Sequence, residues 1–480
     1  MDNLVDKVLT PPQSPSSAFF SYRNGLLYCE EVSIDDFLTT SLSKTEDKKD
    51  VVNINGKVVT LDVPPTPVFL YSLAALKSNV SKYLDAIRTS ELKCRLGYAV
   101  KANGNHTILT TLHQSGVEML VCVSGNEVLS GIQAGFEPRN IILNGNGKQE
   151  WEIKLAIQFG LLLNVDSVFD AKNIANVAKL HPGREVRLLL RIRPSATIHK
   201  GDLAIHPYVN TAEASKFGFG KDELDQVLTI LEGQETTKVV GIHCHLGSCI
   251  YDPDVYHSIG KIMTDMVDEL GKRGHTVELL DIGGGIGIDY YKVVPGMEEY
   301  GVKTSPNPHQ VVPNIASFMS ILAKTLPKNV NIILEPGRSM VADTALVACK
   351  VLGRKVAGQK KFVIVDASMS EVIRPCLYGA HHQILPTKLS KSSQWEPYDV
   401  VGPICESADF LGHNVPLQEE DKDSTASYLA IMDVGAYCFS MSSNYNMRPR
   451  PAEIMIDGTT WTTIRERDTF QNVTGRGTIN

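Results

Sequence analysis

The sequence predicts an α/β protein in which a closed (β/α)8 barrel is followed by a second domain of antiparallel β-strands. Between residues 66 and 342, short apolar runs alternate with longer amphipathic stretches, which is the pattern of parallel strands joined by helices. From residue 343 to residue 480 the pattern changes to short alternating runs divided by turn residues, which is typical of antiparallel strands. A chain of 480 residues is long enough for two such domains.

The barrel prediction rests on eight short apolar runs with helix-like segments between most of them. Strands separated by helical crossovers indicate a closed barrel rather than an open sheet, and the carboxyl ends of all strands then meet at one mouth. We therefore expect the active face at these ends. The predicted strands are Leu96–Val100, Glu118–Val123, Asn140–Asn144, Leu161–Val165, Val186–Ile192, Lys238–His245, Thr276–Ile282 and Asn331–Glu335.

The remaining segments are assigned from composition. Residues 1–17 match neither a secretory signal nor a basic transit peptide, so they are predicted to form a disordered leader. Residues 18–42 are expected to join the β-domain, and the polar stretch 43–65 is expected to be a surface insertion. The main strands predicted for the β-domain are Leu346–Val351, Lys361–Val365, Tyr398–Val401, Tyr428–Asp433 and Ala452–Ile456.

The composition favours a globular protein that acts on small molecules. A formal net charge of −7 provides no electrostatic footprint for nucleic acid or for an anionic membrane. No run approaches the ~18 apolar residues that span a bilayer. The nine cysteines form an odd set without a Cys-x-x-Cys pair, which argues against a disulfide framework or a zinc ribbon and favours a reducing compartment such as the cytoplasm.

Residues capable of chemistry stand where the predicted strands end. Lys101 closes the apolar run Leu96–Val100 and is followed by small and turn-forming residues. A lysine amine delivered to the mouth of a pocket can act as a Schiff-base nucleophile, which is how proteins hold pyridoxal phosphate. The alternative is that Lys101 only ends the strand in solvent and has no catalytic role. The other residues at such ends are Ser124, Asn144, Asp166, Arg193, His245, Gly283 and Glu335.

Glycines and histidines at two of these ends suggest an anion site and a ring or metal site. Gly283, Gly284 and Gly285 follow an apolar run, so their backbone N–H groups can approach a phosphate, although Ile288 breaks the dinucleotide fingerprint. His243 and His245 are two residues apart and are expected to face the same side of one strand. They are interpreted as a metal pair or, preferably, as a stacking imidazole at position 245 with Ser248 as a phosphate donor.

Carboxylates, guanidinium groups and a thiol complete the candidate set. Glu335 can pair with a protonated pyridine nitrogen and Arg338 can clamp a carboxylate, unless the two form an internal ion pair. Arg374 and Tyr378 share one face if their segment is helical. Cys405 and Glu406 lie in a loop, where a thiol can return a proton to a carbanion and a carboxylate can receive an ammonium group.

These motifs resemble, in order, those of the fold type III pyridoxal-phosphate decarboxylases, most closely the diaminopimelate decarboxylases among them. The resemblance implies the alanine racemase-like, group IV decarboxylase architecture of an α/β barrel and a β-domain. The loop Cys405–Ser407 distinguishes the diaminopimelate decarboxylases from the ornithine decarboxylases, which carry a Cys-Asp variant there. The blocks are Tyr98–Asn103, Ser124–Glu127, Asn144–Gly147, His206–Gly218, His243–Ser248, Gly283–Gly287, Glu335–Ser339, Gly402–Asp409 and Tyr445–Glu453.

The resemblance implies decarboxylation of meso-2,6-diaminopimelate to L-lysine and CO2, the last step of lysine biosynthesis, with pyridoxal 5′-phosphate as cofactor and no metal. The implied catalytic residues are Lys101, His245, Glu335 and Cys405. The implied cofactor-binding residues are Lys101, His245, Ser248, Gly284, Gly285, Glu335, Gly337, Arg338 and Tyr437. The implied substrate-binding residues are Arg338, Arg374, Tyr378, Glu406 and Tyr437.

The resemblance also implies a homodimer in which Cys405 and Glu406 act across the subunit interface. Val121–Val123 precede Ser124 where many bacterial relatives have an aspartate, a form that resembles the plant and algal type and makes the plastid an alternative location. Neither the insertion nor the acidic stretch Glu419–Asp423 has a role in the family pattern. The alternatives are an ornithine or arginine decarboxylase or an amino-acid racemase of the same fold, a catalytically inactive regulatory homologue, and a metal hydrolase.

Overall fold

A computed structural model describes residues 19–45, 49–62, 64–193, 215–252, 254–301, 314–391, 394–418 and 427–475. The predicted leader, the acidic stretch 419–423 and most of the block 206–218 lie outside the described residues. The chain divides into two compact units. One comprises residues 77–288 and 309–340, and the other comprises residues 1–76, 289–308 and 341–480.

The described residues before the barrel form short strands, one helix and a hairpin. These elements are β1 (Phe20–Arg23), β2 (Leu26–Cys29), β3 (Val32–Ser33), α1 (Ile34–Thr45), β4 (Lys49–Ile54), β5 (Lys57–Asp62) and β6 (Val68–Ser72). The first three strands form a small antiparallel sheet, and β4 pairs only with β5. Every residue of β5 is exposed, so the hairpin lies on the surface within the stretch predicted as an insertion.

Eight parallel strands close into a barrel, as the sequence predicted. In chain order the elements are α2 (Leu73–Thr89), β7 (Cys94–Ala99), α3 (His106–Gln114), β8 (Met119–Cys122), α4 (Gly125–Gln133), β9 (Ile141–Leu143), α5 (Glu150–Phe159), β10 (Leu162–Val165), α6 (Val168–Lys179), β11 (Val186–Arg191), α7 (Leu224–Glu232), β12 (Thr237–His243), α8 (Asp254–Lys272), β13 (Leu279–Asp281), α9 (Ile315–Thr325), β14 (Asn331–Leu334) and α10 (Arg338–Val341). The barrel closes where β14 pairs with β7.

Alternate residues of the barrel strands build one apolar core. A cluster of buried side chains takes members from seven of the eight strands, as expected when inward-pointing residues of neighbouring strands stack in layers. Because this core fills the barrel, polar side chains with a chemical role gather where the strands end. The members are Met119, Val121, Ile142, Leu162, Leu189, Val240, Leu279 and Ile333.

The other unit is built around a larger sheet. Its elements after the barrel are β15 (Ala345–Ala357), β16 (Lys360–Val365), α11 (Arg374–Tyr378), β17 (Ile384–Pro386), β18 (Trp395–Val401), β19 (Phe410–Gln418), β20 (Tyr428–Met432), β21 (Ala452–Asp457), β22 (Thr460–Arg465) and α12 (Phe470–Thr474). Most pairs are antiparallel, but β16 with β18 and β21 with β6 are parallel, so the sheet is mixed.

Strand β6 belongs to this sheet although it precedes the barrel in the chain. It pairs with β15 on one side and with β21 on the other, which places it in the middle of the strand order. All five of its residues are buried, because both faces of a central strand are covered. The predicted barrel segment 66–342 includes residues 66–72, and no strand is predicted among them.

Candidate active site

Lys101 lies immediately beyond the end of β7. A single 3-10 turn over Val100–Ala102 follows the strand, and the Lys101 side chain is exposed while both neighbours are buried. The Tyr98 hydroxyl donates to the Asn103 carbonyl at 2.9 Å and so fixes the turn. The lysine amine is therefore presented by a rigid strand end, as predicted.

The glycine segment forms a tight bend directly after β13. The Gly283 N–H donates to Asp281 Oδ1 at 2.9 Å, and the Gly283 carbonyl accepts from the Glu335 N–H at 2.7 Å. Gly283 and Gly285 have φ values of +68° and +102°, which side chains rarely tolerate. A Cβ atom at Gly284 would collide with the Glu335 backbone. The bend thus brings bare backbone against the end of β14.

His245 lies beyond its strand, which corrects the expectation that His243 and His245 share one strand. Strand β12 ends at His243, and the chain then enters a loop. His245 Nδ1 accepts a hydrogen bond from the Gly284 N–H at 3.3 Å, which places the ring against the glycine segment. Burial, followed by the nearby Lys101 amine, lowers the His245 pKa to about 3, so the imidazole is neutral.

Glu335 is the buried anion of the site. It follows β14 directly, and His243 Nε2 lies 3.7 Å from its Oε2. Burial opposes ionisation, but the neighbouring His243 and Asp281 side chains outweigh it and lower the Glu335 pKa to about 2. A carboxylate that stays negative in this setting can pair with a cationic ring nitrogen.

Arg338 and Ser248 meet near the same barrel mouth. Arg338 Nη2 donates to Ser248 Oγ at 3.2 Å, and the Arg338 side chain is largely buried at the start of α10. Gly337, also buried, precedes it, and its carbonyl accepts from the Met340 N–H at 3.1 Å. A guanidinium beside a hydroxyl suits an anionic group such as phosphate or carboxylate.

In the other unit, Arg374 and Tyr378 both lie on α11 but differ in environment. Arg374 is 2% exposed and Tyr378 is 40% exposed, although the segment is helical, as the expectation that they share one face requires. Arg374 Nη1 lies 2.7 Å from His382 Nε2, and its guanidinium stacks over Tyr290 at 5.2 Å. The guanidinium is buried against its partners, whereas the phenol is partly open to solvent.

Cys405 and Glu406 lie in an exposed loop of that unit. The Cys405 N–H donates to Asn446 Oδ1 at 2.8 Å, and the Tyr445 hydroxyl donates to Glu406 Oε2 at 3.5 Å. Buried Asp409 accepts from the Ile404 N–H at 2.9 Å, which holds the base of the loop. The thiol and the carboxylate thus face outward from a supported backbone.

Tyr437 stands in a turn after β20. Its φ of +58° is unusual for a tyrosine, and the preceding residues are tied to the segment before β15. The Val434 N–H donates to the Ala345 carbonyl at 3.1 Å, and a Cβ atom at Gly435 would collide with the Val341 carbonyl. Such close packing fixes the backbone at Tyr437.

The structure adds residues that sequence reasoning did not assign. Asn164, inside β10, lies 2.9 Å from His243 Nδ1, and His382 contacts Arg374. A polar residue inside an otherwise apolar strand was the available signal for Asn164. Asp281 joins His243 and Glu335, with ligand-type atoms within 4.8 Å of one another. Within the described ranges, this is the one cluster of metal-ligand type, and His245 is not part of it.

Comparison with known proteins identifies the class. Residues 73–342 match the family described as "Pyridoxal-dependent decarboxylase, pyridoxal binding domain", and residues 250–435 match its "C-terminal sheet domain". The chain therefore belongs to the pyridoxal-dependent decarboxylases. It is a carboxy-lyase that uses pyridoxal 5′-phosphate, built on the barrel and sheet described above.

Within this family, the chain is similar to several diaminopimelate decarboxylases. A "Probable diaminopimelate decarboxylase, chloroplastic" from rice is 36% identical over 93% of this chain and 81% of its own length. A diaminopimelate decarboxylase from Aquifex aeolicus is 33% identical over 95% of this chain and 96% of its own. The crystal structure of the M. jannaschii enzyme superposes with a TM-score of 0.79 and 27% identity, covering 96% of this chain and 98% of that chain.

A further solved structure, diaminopimelate decarboxylase from Helicobacter pylori complexed with L-lysine, is 30% identical with a TM-score of 0.74. It covers 85% of this chain and 95% of its own. No helix in the described part of this chain has the length and apolar character needed to cross a membrane.

The barrel residues fit pyridoxal 5′-phosphate. Glu335 has a buried oxygen, Oε1, without a hydrogen-bond partner, and its carboxylate is anionic, which suits a protonated pyridine nitrogen. Neutral His245 offers a flat ring, and the glycine bend leaves no room for side chains. The exposed Lys101 amine is available for covalent attachment to an aldehyde.

Proposed function

We propose that this chain decarboxylates meso-2,6-diaminopimelate to L-lysine and CO2 in the last step of lysine biosynthesis. The observation that carries the proposal is similarity along nearly the whole chain to diaminopimelate decarboxylases, one of them solved with L-lysine. The Cys405–Ser407 loop supports the same substrate, because its glutamate is suited to a distal amino group.

We assign Lys101, His245 and Glu335 to the cofactor ring. Lys101 attaches covalently to the aldehyde, His245 stacks on the ring face, and Glu335 receives the pyridine N–H. Pyridoxal 5′-phosphate, when bound, supplies the electron sink for the pair released from the Cα–carboxylate bond. We assign the phosphate to Ser248, Gly284, Gly285, Gly337, Arg338 and Tyr437. The Gly284 N–H, which donates to His245 Nδ1 in this structure, would have to turn to the phosphate when the cofactor binds.

We assign Arg338, Arg374, Tyr378 and Tyr437 to the substrate's polar groups near the reacting carbon and Glu406 to its distal ammonium. Cys405 then gives a proton to the carbon that has lost CO2. The exposed thiol and carboxylate stand next to each other in sequence, so one loop can serve both ends of the substrate.

We also propose a homodimer in which the loop bearing Cys405 and Glu406 completes the partner's site. Exposed apolar side chains accompany this loop: Tyr378, Tyr445 and Met447 are 40%, 44% and 62% exposed. Such side chains favour burial against another subunit. A dimer explains why the catalytic groups of Cys405 and Glu406 are exposed to solvent on a single protomer.

Complementation tests this dimer. Lys101→Ala and Cys405→Ala variants, each inactive or slow alone, are mixed and refolded together. A shared site should restore about one quarter of wild-type activity, because half the dimers are hybrids with one intact site each. Light scattering should report two subunits. No recovery, with a monomeric mass, contradicts the shared site.

Parallel assays test the substrate. The purified protein loaded with pyridoxal 5′-phosphate is incubated with meso-diaminopimelate, ornithine and arginine, and the amine products are quantified. We expect lysine from the first and little product from the others. Faster decarboxylation of ornithine or arginine would overturn the proposal. The Glu406→Asp variant should change this preference, since it shortens the carboxylate that reads the distal amine.

We place the enzyme in the cytoplasm, with the plastid as the alternative. Six of the nine cysteines are buried small side chains, in keeping with a reducing interior: Cys29, Cys122, Cys244, Cys249, Cys349 and Cys438. Imaging of a C-terminal fluorescent fusion in the source cell distinguishes the two compartments. Signal confined to plastids would replace the cytoplasmic assignment.

A further inference from the structure

Three buried polar atoms at the ends of adjacent barrel strands lack hydrogen-bond partners. They are His243 Nε2, Asp281 Oδ2 and Glu335 Oε1. His243 is paired in register with Asp281 on β12 and β13, and Glu335 follows β14, the next strand. His243 and Asp281 are 0% exposed and Glu335 is 8% exposed. Leaving such atoms unpaired in a buried cluster is destabilising, so their proton positions need an explanation.

One proton satisfies two of these atoms. Asp281 Oδ1 already accepts from the Gly283 N–H at 2.9 Å, which leaves Oδ2 directed to the cluster. Two ionised carboxylates this close would repel each other strongly in a dry interior. A proton on Asp281 Oδ2 removes one charge and provides a donor for Glu335. Burial, followed by the charge of Glu335, raises the pKa of Asp281 well above its usual range.

The third atom is explained by Asn164. Its side-chain N–H2 group donates to His243 Nδ1 at 2.9 Å, so the imidazole carries its proton on Nε2. That N–H points towards Glu335 Oε2 at 3.7 Å. The opposite tautomer would direct the lone pair of Nε2 at the Glu335 carboxylate. Neither Nε2 nor the carboxylate oxygen would then have a donor. Burial lowers the His243 pKa, so the ring is neutral.

We propose that Asp281 is a neutral carboxylic acid that donates a hydrogen bond to Glu335, and that Asn164 fixes His243 as a second neutral donor. Glu335 is thereby held as the single anion of the cluster, oriented for the pyridine nitrogen. Asp281, His243 and Asn164 are positioning residues that act through Glu335. This inference rests on the proposed role of Glu335 in cofactor binding.

Other charged groups around the cluster do not change the assignment. Arg191 favours ionisation of Asp281, but it also bonds Asp166 Oδ1 at 3.3 Å, and Asp166 is itself buried. The neutral His245 ring and the Lys101 amine lie on the cofactor side. The His243 N–H is directed at Glu335, which is also assigned to the cationic pyridine nitrogen, so the negative charge stays on Glu335 and the proton on Asp281.

A matched pair of variants tests the proposal. Asp281→Asn keeps the shape, the neutral charge and an N–H donor, whereas Asp281→Ala removes the donor. Equilibrium dialysis of pyridoxal 5′-phosphate should give a dissociation constant within about threefold of wild type for Asn and at least about tenfold weaker for Ala. If Asp281 is instead an anion, Asn should lose as much affinity as Ala, which overturns the proposal.

Infrared spectroscopy provides a readout that a purely structural role would not move. The difference spectrum between wild type and Asp281→Asn, recorded without cofactor, should contain the C=O band of a protonated carboxylic acid. A difference spectrum that contains carboxylate bands and no acid band would contradict a neutral Asp281. Binding of one equivalent of divalent metal by the wild type, lost in the Asn variant, would contradict it as well. Absence of a pyridoxyl adduct at Lys101 with the acid band still present would refute the proposed function alone.

Discussion

Arg374 Nη1 lies 2.7 Å from His382 Nε2, and His382 Nδ1 lies 2.9 Å from the Met432 carbonyl oxygen. A guanidinium only donates, so Nε2 must accept, and the proton on Nδ1 is donated to the carbonyl. Both side chains are buried. The histidine is therefore a neutral ring that is anchored to the end of β20 through Met432 and fixes the direction of Arg374.

Replacing His382 should weaken substrate binding more than turnover. His382→Phe removes the acceptor of a buried cation, so KM for diaminopimelate should rise roughly 10- to 100-fold. His382→Gln, which retains an acceptor oxygen, should recover much of the loss, and His413→Phe, at an exposed histidine, should have little effect. Steady-state kinetics on the three variants measures this, and equal KM values for Phe and wild type would contradict it.

Lys101→Ala should abolish covalent attachment of the cofactor. The exposed amine at the end of β7 is the nucleophile assigned to the aldehyde. After borohydride reduction, peptide mapping of the wild type should find the pyridoxyl group on the peptide that contains Lys101, and the variant should contain none. An adduct at another lysine would show that the assignment is wrong.

Gly284→Ala should destabilise the barrel mouth and weaken cofactor binding. The new Cβ would collide with the Glu335 backbone and lie 3.3 Å from Pro336 Cα, where rigid backbone cannot yield. We expect a loss of roughly 1–3 kcal/mol in the free energy of unfolding. Gly271→Ala in α8, with no neighbour within 4 Å, is the control and should stabilise slightly. Chemical denaturation of both variants decides the comparison.

Cys405→Ala should retain the cofactor and slow product formation. The exposed thiol is the proposed proton donor, and proton transfer by a positioned group contributes about 10²–10⁴-fold. Cys376→Ala, at another accessible thiol of the same unit, should behave like wild type. Absorbance confirms cofactor loading while lysine release is timed. Unchanged lysine release from the Cys405 variant would remove the thiol from the mechanism.

Stability should fall as the pH rises towards 7 because of Glu371. Burial raises its pKa to about 7, against partial compensation by hydrogen bonds from Ser368. The folded protein then holds a proton that the unfolded chain releases near pH 4.5, so up to about 3 kcal/mol is lost between these values. Thermal melts of wild type and Glu371→Gln at several pH values test this, and the variant should give the flatter profile.

The barrel was predictable because its signals are local. Each strand is an apolar run that stops at a polar or glycine residue, so both the strand and its functional end can be read from sequence. Lys101, Gly283 and Glu335 were found in this way. Asn164 and His382 were not, because their importance comes from a partner far along the chain. Strand β6 was not predicted for the same reason, since its pairing with β21 spans most of the sequence.

The placement of β6 also determines when each unit can be finished during synthesis. This strand is made early, yet its neighbour β21 is made after every barrel strand. All barrel strands are therefore synthesised while the edge of β6 that pairs with β21 still waits for its strand partner. Nascent chains stalled before residue 452 should accordingly depend on a chaperone to shield that waiting edge.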